Sequence, residues 1–317
     1  MTADPARVGP VGGSALPGGV MMRTHDRVGV AVREEETGRI VTDGFDLHPH
    51  HGRWARWPLM RGVLAMRTAI RTGSEAMRMS ERLRWGEGEE GDPEDQLGWI
   101  GKITIGGGAV VGAALQILAF RVGPIVIAKE AGLHGASFIV ADAAIRLVLL
   151  LSTLLLVSLL RPFRRILRYH GAEHQAIAAH EAGAPRTAAA AAGFTRFHPR
   201  CGTSFLVVSA LVSIAVYGAV LAITGVFTYP ALIATRLVGA PIVTGVAFEL
   251  QRQAAKHSDG RLRFLSWPGM AAQWLTTRAP QMPELEVAVA ALGEALQPSA
   301  EPHPVDEPEP VDQLDLA

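Results

Sequence analysis

The chain has 317 residues, 49 % of them hydrophobic and only 19 % charged, with a mean hydropathy of +0.21. Thirty basic residues balance thirty acidic ones, so no global field argues for nucleic acid, and the one cysteine, Cys201, excludes an internal disulfide framework and fits a reducing compartment. Charge gathers in the first hundred residues, one arginine knot and the tail, which excludes a purely soluble or purely disordered chain.

The expected architecture is mainly α: a polytopic helical membrane protein with about four spans and a small N-terminal β-hairpin region on the cytoplasmic side. Residues 1–11 read as a disordered N-terminus, and the first twenty residues lack the basic start and apolar core expected of a cleavable signal peptide. Residues 12–57 form the hairpin region, where Val28–Arg33 and Arg39–Thr42 alternate around a Glu/Thr/Gly turn. His48, His50 and His51 read as solvated loop. In the region 58–102, Met60–Arg84 is basic, Met-rich and amphipathic, suited either to an anionic leaflet or to packing on the hairpin. The acidic linker Gly86–Asp95 follows.

Spans one and two occupy 103–160. Ile103–Ala128 carries Arg121, and Phe138–Leu160 carries Asp142 and Arg146, spaced so that one neutralises the other on one helix face. Spans three and four occupy 203–250. Thr203–Thr224 is uncharged throughout and long enough to cross a hydrocarbon core. Val226–Leu250 is interrupted by Arg236, which needs a carbonyl or Asp142 as partner, and broken by Pro230, Gly239, Pro241 and Gly245. Between the pairs lies a loop region, 161–202. A C-terminal region, 251–296, contains a helix over Glu284–Leu296 with Leu285, Val289 and Leu292 at helical spacing, and 297–317 reads as an unfolded tail.

Four arginines in Arg161–Arg168, and Arg252, Lys256, Arg261 and Arg263 after the last span, place both clusters and both termini on the cytoplasmic side by the positive-inside rule. A multi-pass protein of the inner (plasma) membrane is expected, with anionic lipid headgroups near Arg161–Arg168 and no nucleic-acid partner.

The chemistry concentrates beside the arginine knot. In YHGAEH, residues 169–174, a helical backbone puts His170 and His174 on one face, the spacing of two nitrogens on one metal, with Glu173 between them in the inverted-zincin order. A second cluster, FHPRCGT, offers His198 and Cys201, both donors to zinc or another divalent transition metal. Glu249, at the inner end of span four, returns to the same face. Two versions of a cytoplasm-facing zinc site follow. In a hydrolase, His170, His174 and Glu249 bind the ion and Glu173 is the general base. In a structural clamp, His170, His174, His198 and Cys201 close the shell. The competing class is a non-enzymatic membrane scaffold or assembly factor without metal, in which Cys201 is a small buried hydrophobe and Glu249 pairs with Arg252.

The motifs GGVMMR (Gly18–Arg23), VGVAVR (Val28–Arg33), RGV (Arg61–Val63), HGAEH (His170–His174), HPRCGTSFL (His198–Leu206), FEL (Phe248–Leu250) and LTTR (Leu275–Arg278) resemble, in this order, the YqhQ-like family of bacterial integral membrane proteins. The resemblance runs from about Gly12 to Leu292 and implies metal dependence without an established reaction, with His170, Glu173, His174, His198, Cys201 and Glu249 at matching positions. One stretch departs: where the family carries a glutamine and a glutamate, this chain has Ser14 and Gly18, which puts an N-terminal contribution to the site in doubt.

Overall fold

The computed structural model describes residues 11–47, 57–85, 111–112, 114–256 and 266–298. The expectations for 1–10, His48, His50, His51, the acidic linker, Arg261, Arg263 and the tail beyond 298 lie outside them. The chain divides into two compact units, one made of 1–86, 154–208 and 244–317, the other of 87–153 and 209–243.

The first unit is built on an antiparallel sheet, β1 (Gly12–Leu16), β2 (Gly19–Arg23), β3 (Arg27–Arg33) and β4 (Ile40–Asp46), in the order β1-β2-β3-β4. The expected hairpin is its β3–β4 half, with Val32 opposite Val41 and Val28 opposite Phe45. The other half escapes a reading by alternation, because every residue of β2 is buried and all of β1 but Leu16 is glycine or a small residue. Pro17-Gly18 turns the chain between them, with Gly18 at φ 79°, the conformation glycine adopts without a Cβ penalty.

Both faces of this sheet are covered. Helix α1 (Met60–Trp85) packs Ala76, Met79 and Leu83 onto Leu16, Met21, Val28, Val30 and Val32. Of the two expectations for this segment, the described contacts are those with the sheet. On the opposite face, alternate residues Val20, Met22 and Ala31 meet Tyr169, Ala172 and Ala176 of one helix and Leu285, Ala288, Ala291 and Leu292 of another. The first, α4, runs from Arg161 to Glu181, so the region read as a loop is helical where its chemistry lies. Pro162 opens it and Gly183, at φ 70°, follows its end, the usual punctuation of a helix. A single helical turn, α5 (Ala188–Ala191), capped by Thr187, comes next. The second covering helix, α10 (Met282–Ala295), starts on a capping box between Gln281 and Glu284 and passes so close over β3 that a Cβ on Gly29 would meet Ala291 and Ala295.

The second unit contains a π-helical turn, Leu118–Val122, leading into α2 (Gly123–Glu130). Ile125, Ala128, Phe138, Leu221 and Leu232 form its core. It also holds a buried charge cluster. Asp142 accepts from Arg146 Nε and Nη2 at 3.0 Å each and from Arg236 Nη2 at 2.7 Å. Arg146 further donates to the carbonyls of Phe120 (2.8 Å) and Arg121 (3.3 Å) in the π turn, where the helical ladder is loosened. The expected partner of Arg236 is therefore Asp142, and its guanidinium also lies 4.1 Å from the Tyr217 ring centroid.

Two helices are long and apolar enough to cross a membrane, α3 (Gly135–Leu159) and α6 (Gly202–Thr224); α7 (Tyr229–Val238) and α8 (Ala240–Lys256) make a third if their pair, bent by 45°, is one span. Only 11 % of the apolar window of α3 and 28 % of that of α6 is buried, so much of their apolar surface stands open, which suits them to association with a membrane. The segment expected to be broken, Val226–Leu250, is thus mostly this bent pair, whose two helices meet at Gly239. The expected first span begins outside the described residues, and its described part is helical at 111–112 and 114–117, then the π turn and α2; among the described residues two helices, or three with the bent pair, pass the length and composition of a span.

Candidate metal centre

Four sequence-distant pieces of the first unit build the centre: α4, the turn of residues 194–201, the start of α6, and α9 (Trp267–Thr276) with the residues after it. Gly171 lets α4 and the chain after α9 touch, since a Cβ there would overlap the Arg278 carbonyl. The Arg278 amide donates to the Leu167 carbonyl at 2.8 Å and holds the same crossing.

At this crossing His170 and His174, one turn apart on α4, stand with ring centroids 4.5 Å apart. Each Nδ1 lies against a backbone carbonyl, that of Thr276 at 2.7 Å for His170 and that of Arg196 at 2.5 Å for His174. A carbonyl only accepts, so both Nδ1 atoms carry their protons and both Nε2 atoms are the ones left for other work. His170 Nε2 is 3.2 Å from Cys201 Sγ, and one ligand atom from each of His170, His174 and Cys201 lies within 4.8 Å of the others. His174 Nε2 is buried and has no hydrogen-bond partner, and the same is true of Glu173 Oε2.

Thr203 Oγ1 sits 3.0 Å from the sulfur and 3.2 Å from Thr276 Oγ1, so two hydroxyls close the wall behind Cys201. Gln251 Nε2 holds the Cys201 carbonyl at 3.2 Å. Fully buried Gln273 receives the His198 amide at 2.9 Å and donates to the His198 carbonyl and to Ser204 Oγ.

The electrostatics follow from enclosure. Burial raises the Glu173 carboxyl above its ordinary value. Burial alone would raise the Cys201 thiol and depress His170, but their mutual attraction and hydrogen bond win: the thiol is pulled well below its usual value and His170 is brought up to about 9. Burial, reinforced by the neighbouring His174, pushes His198 down to about 4.

Of the residues singled out in the sequence, His170, His174 and Cys201 meet, and the buried Glu173 carboxyl lies near enough to feel all three electrostatically without joining the trio. His198 is next to them, its ring centroid 5.8 Å from that of His174, but its ring nitrogens face elsewhere: Nε2 toward Glu181 at 3.4 Å and Nδ1 toward the Arg200 amide at 3.3 Å. Glu249 is not brought to the cluster. Its carboxylate accepts from Arg61 through both oxygens and lies 3.5 Å from Arg252, because α1 crosses α8 where Gly62 meets Phe248 and Gly245 meets Leu59. The ligand trio of His170, His174 and Glu249 is therefore not the one the fold assembles. Sequence reasoning missed Thr276, Thr203, Gln273, Gln251 and Glu181. Thr276, Thr203 and Gln273 fall in or beside the motifs HPRCGTSFL and LTTR, whereas the two carbonyls that orient the histidines leave no trace in side-chain identity.

Residues 57–298 match the model of a family described as a protein of unknown function, DUF1385. The chain belongs to this family. Over 304 residues, 90 % of this chain and 92 % of the relative, it is 28 % identical to the uncharacterized protein YqhQ of Bacillus subtilis (strain 168). No solved structure matches it. The three residues that meet at the centre of this DUF1385 protein, and Glu173 beside them in sequence, all lie within the matched region.

Proposed function

We propose that this DUF1385 protein is a membrane-anchored metalloprotein whose centre holds zinc, or another divalent transition metal, on His170, His174 and Cys201. The observation that carries this reading is the pair of Nδ1–carbonyl hydrogen bonds. Metal-binding histidines are typically oriented by donating from their second nitrogen in this way, and here it leaves both Nε2 atoms for an ion beside a thiol already drawn toward its thiolate form; the proton that His170 Nε2 shares with that sulfur would leave as metal binds. Tetrahedral zinc with bonds of about 2.0–2.3 Å separates its donor atoms by about 3.3–3.8 Å, so a group already within 4.8 Å needs only small side-chain movements.

Three protein ligands resemble catalytic rather than closed structural zinc sites. Glu173, buried with one oxygen unpartnered and its pKa raised, is suited to take or give a proton beside the fourth position, and a bound metal would supply Lewis acidity there. This supports a metal-dependent hydrolase of unspecified substrate. A specific observation favours the second reading, a clamp without chemistry: His174, Glu173 and Cys201 are 1 %, 4 % and 4 % exposed, and the centre ties α4, α6 and α9 together. In either case the protein crosses the bacterial inner membrane about four times, with both termini and the centre cytoplasmic, by the arginine distribution. Arg161 and Arg164 are exposed on α4 and suit anionic headgroups.

Elemental analysis of the detergent-purified full chain tests the proposal. Stoichiometric metal in the wild type and none in the His170→Ala, His174→Ala double variant is expected; a metal-free wild type, or a double variant that keeps its metal, overturns it. Cys201→Ser and Glu173→Gln then separate the two versions. A hydrolase keeps metal and fold in Glu173→Gln and loses only activity, whereas a clamp answers Cys201→Ser with instability.

A further inference from the structure

Helix α9, WPGMAAQWLT, contains no charged residue. Its inner face, Gly269, Ala272, Gln273 and Thr276, is buried, and its outer face is Trp267, Ala271 and Trp274, with the two indoles 62 % and 70 % exposed. A helix lying on a surface bathed by water turns charged and polar side chains outward. This one turns out two tryptophans seven residues apart, on one face of the helix.

What covers that face is indicated by where the helix is pinned. Gly269 abuts Ser204, in the first turn of α6, closely enough that a Cβ would overlap it. Arg278, two residues past the helix, donates from Nη2 to the Ser158 carbonyl at 2.7 Å, in the last turn of α3. These are the ends of the two helices suited to cross a membrane. A cation completes the edge: the Arg196 guanidinium lies 5.1 Å from the Phe197 ring centroid and 5.8 Å from that of Trp274, with the two rings 5.2 Å apart. Tryptophan at the ends of spans, with arginine beside it, is the composition of a membrane–water boundary.

We infer that α9 is an interfacial helix, seated along the headgroup layer with Trp267 and Trp274 in the lipid, at the level where α3 ends and α6 begins. The inference rests on those two helices crossing a bilayer and is independent of the metal. It has a consequence for the centre, because Thr276 and Gln273 on the inner face hold His170 and His198. The seat fixes the His/Cys cluster at headgroup depth.

The test uses the full chain in nanodiscs of phosphatidylcholine and phosphatidylglycerol, with Trp54, Trp57, Trp85 and Trp99 replaced by phenylalanine so that only the two α9 indoles emit. Phosphatidylcholine brominated near the glycerol end of its chains is expected to quench the emission more than the same lipid brominated toward the chain ends, and aqueous iodide to quench it weakly. Strong iodide quenching places the face in water and overturns the inference. So does the absence of quenching by either reagent, which means that protein, a partner or a second copy, covers the face. Deeper bromines quenching better would make α9 part of a span and overturn it too. If the quadruple variant does not fold, the same comparison is read as the signal lost from wild type on Trp267→Phe, Trp274→Phe.

Discussion

Gly13 of β1 lies against Glu173 of α4: a Cβ on Gly13 would come 2.9 Å from Glu173 Cγ and 2.7 Å from the Met21 carbonyl. The N-terminal strand therefore reaches the centre through packing rather than through a donor. Ser14 is exposed and Gly18 forms the turn beside Arg84, so neither position where the chain departs from its family's usual stretch faces the cluster. Gly13→Ala should cost about 1–3 kcal/mol through overpacking against rigid backbone, while Ser14→Ala should stay within about 0.5 kcal/mol. Thermal unfolding in detergent, measured for both variants against wild type, checks the contrast.

If His170, His174 and Cys201 hold an ion, chelation should lower the melting temperature and zinc should restore it. Free zinc at about 100 times its dissociation constant contributes about 2.7 kcal/mol by mass action. The response should vanish in His174→Ala. Thermal scans with and without chelator at matched ionic strength read this directly.

Glu249→Gln offers the opposite expectation. Its carboxylate is engaged by Arg61 and Arg252, so metal content should be unchanged while stability falls by about 1–2 kcal/mol for a partly buried ion pair with both partners about one-fifth exposed. Metal lost from this variant would restore Glu249 as a ligand.

Gln273 is fully buried and serves His198 through both its amide and its carbonyl, and Ser204 as well. Gln273→Leu should cost about 2–4 kcal/mol, because the His198 amide and carbonyl would stay buried without partners. Slower or weaker metal retention should accompany it, by about 10- to 100-fold as for other residues that support ligands. Melting temperature and competition with a chromogenic chelator measure the two effects.

In the second unit, Asp142 faces both Arg146 and Arg236. Asp142→Asn would leave two buried guanidinium groups without a counter-charge, a change worth about 3–5 kcal/mol. Asp142→Glu should cost less if the longer carboxylate still reaches both arginines. Yield of monodisperse protein and melting temperature in one detergent rank the two.

Much of this could be read along the chain. The uncharged run of α6, the i,i+4 pairing of Asp142 with Arg146, the β3–β4 hairpin, the helical stripe of α10 and the His170–His174 spacing are all local patterns, set by 1.5 Å per residue in a helix or by alternation in a strand. Family membership was legible for the same reason, in short motifs kept in order. The strands β1 and β2 were not legible, because β2 is buried on both faces and shows no alternation while β1 is mostly glycine and small residues, and the helix in 161–202 was hidden behind the loop expected between two spans.

Partnership was decided only in three dimensions. Glu249 and Cys201 both had topology and chemistry in their favour, yet α1 crosses α8 at Gly62 and Gly245 and brings Arg61 to Glu249, while the close approach of α4 to Arg278 at Gly171 brings the Thr276 carbonyl to His170. Residue types along one chain specify what each side chain can bind. Which donor meets which acceptor depends on contacts between segments from about twenty to nearly two hundred residues apart, many of them made by backbone surfaces and carbonyls that carry no side-chain signature.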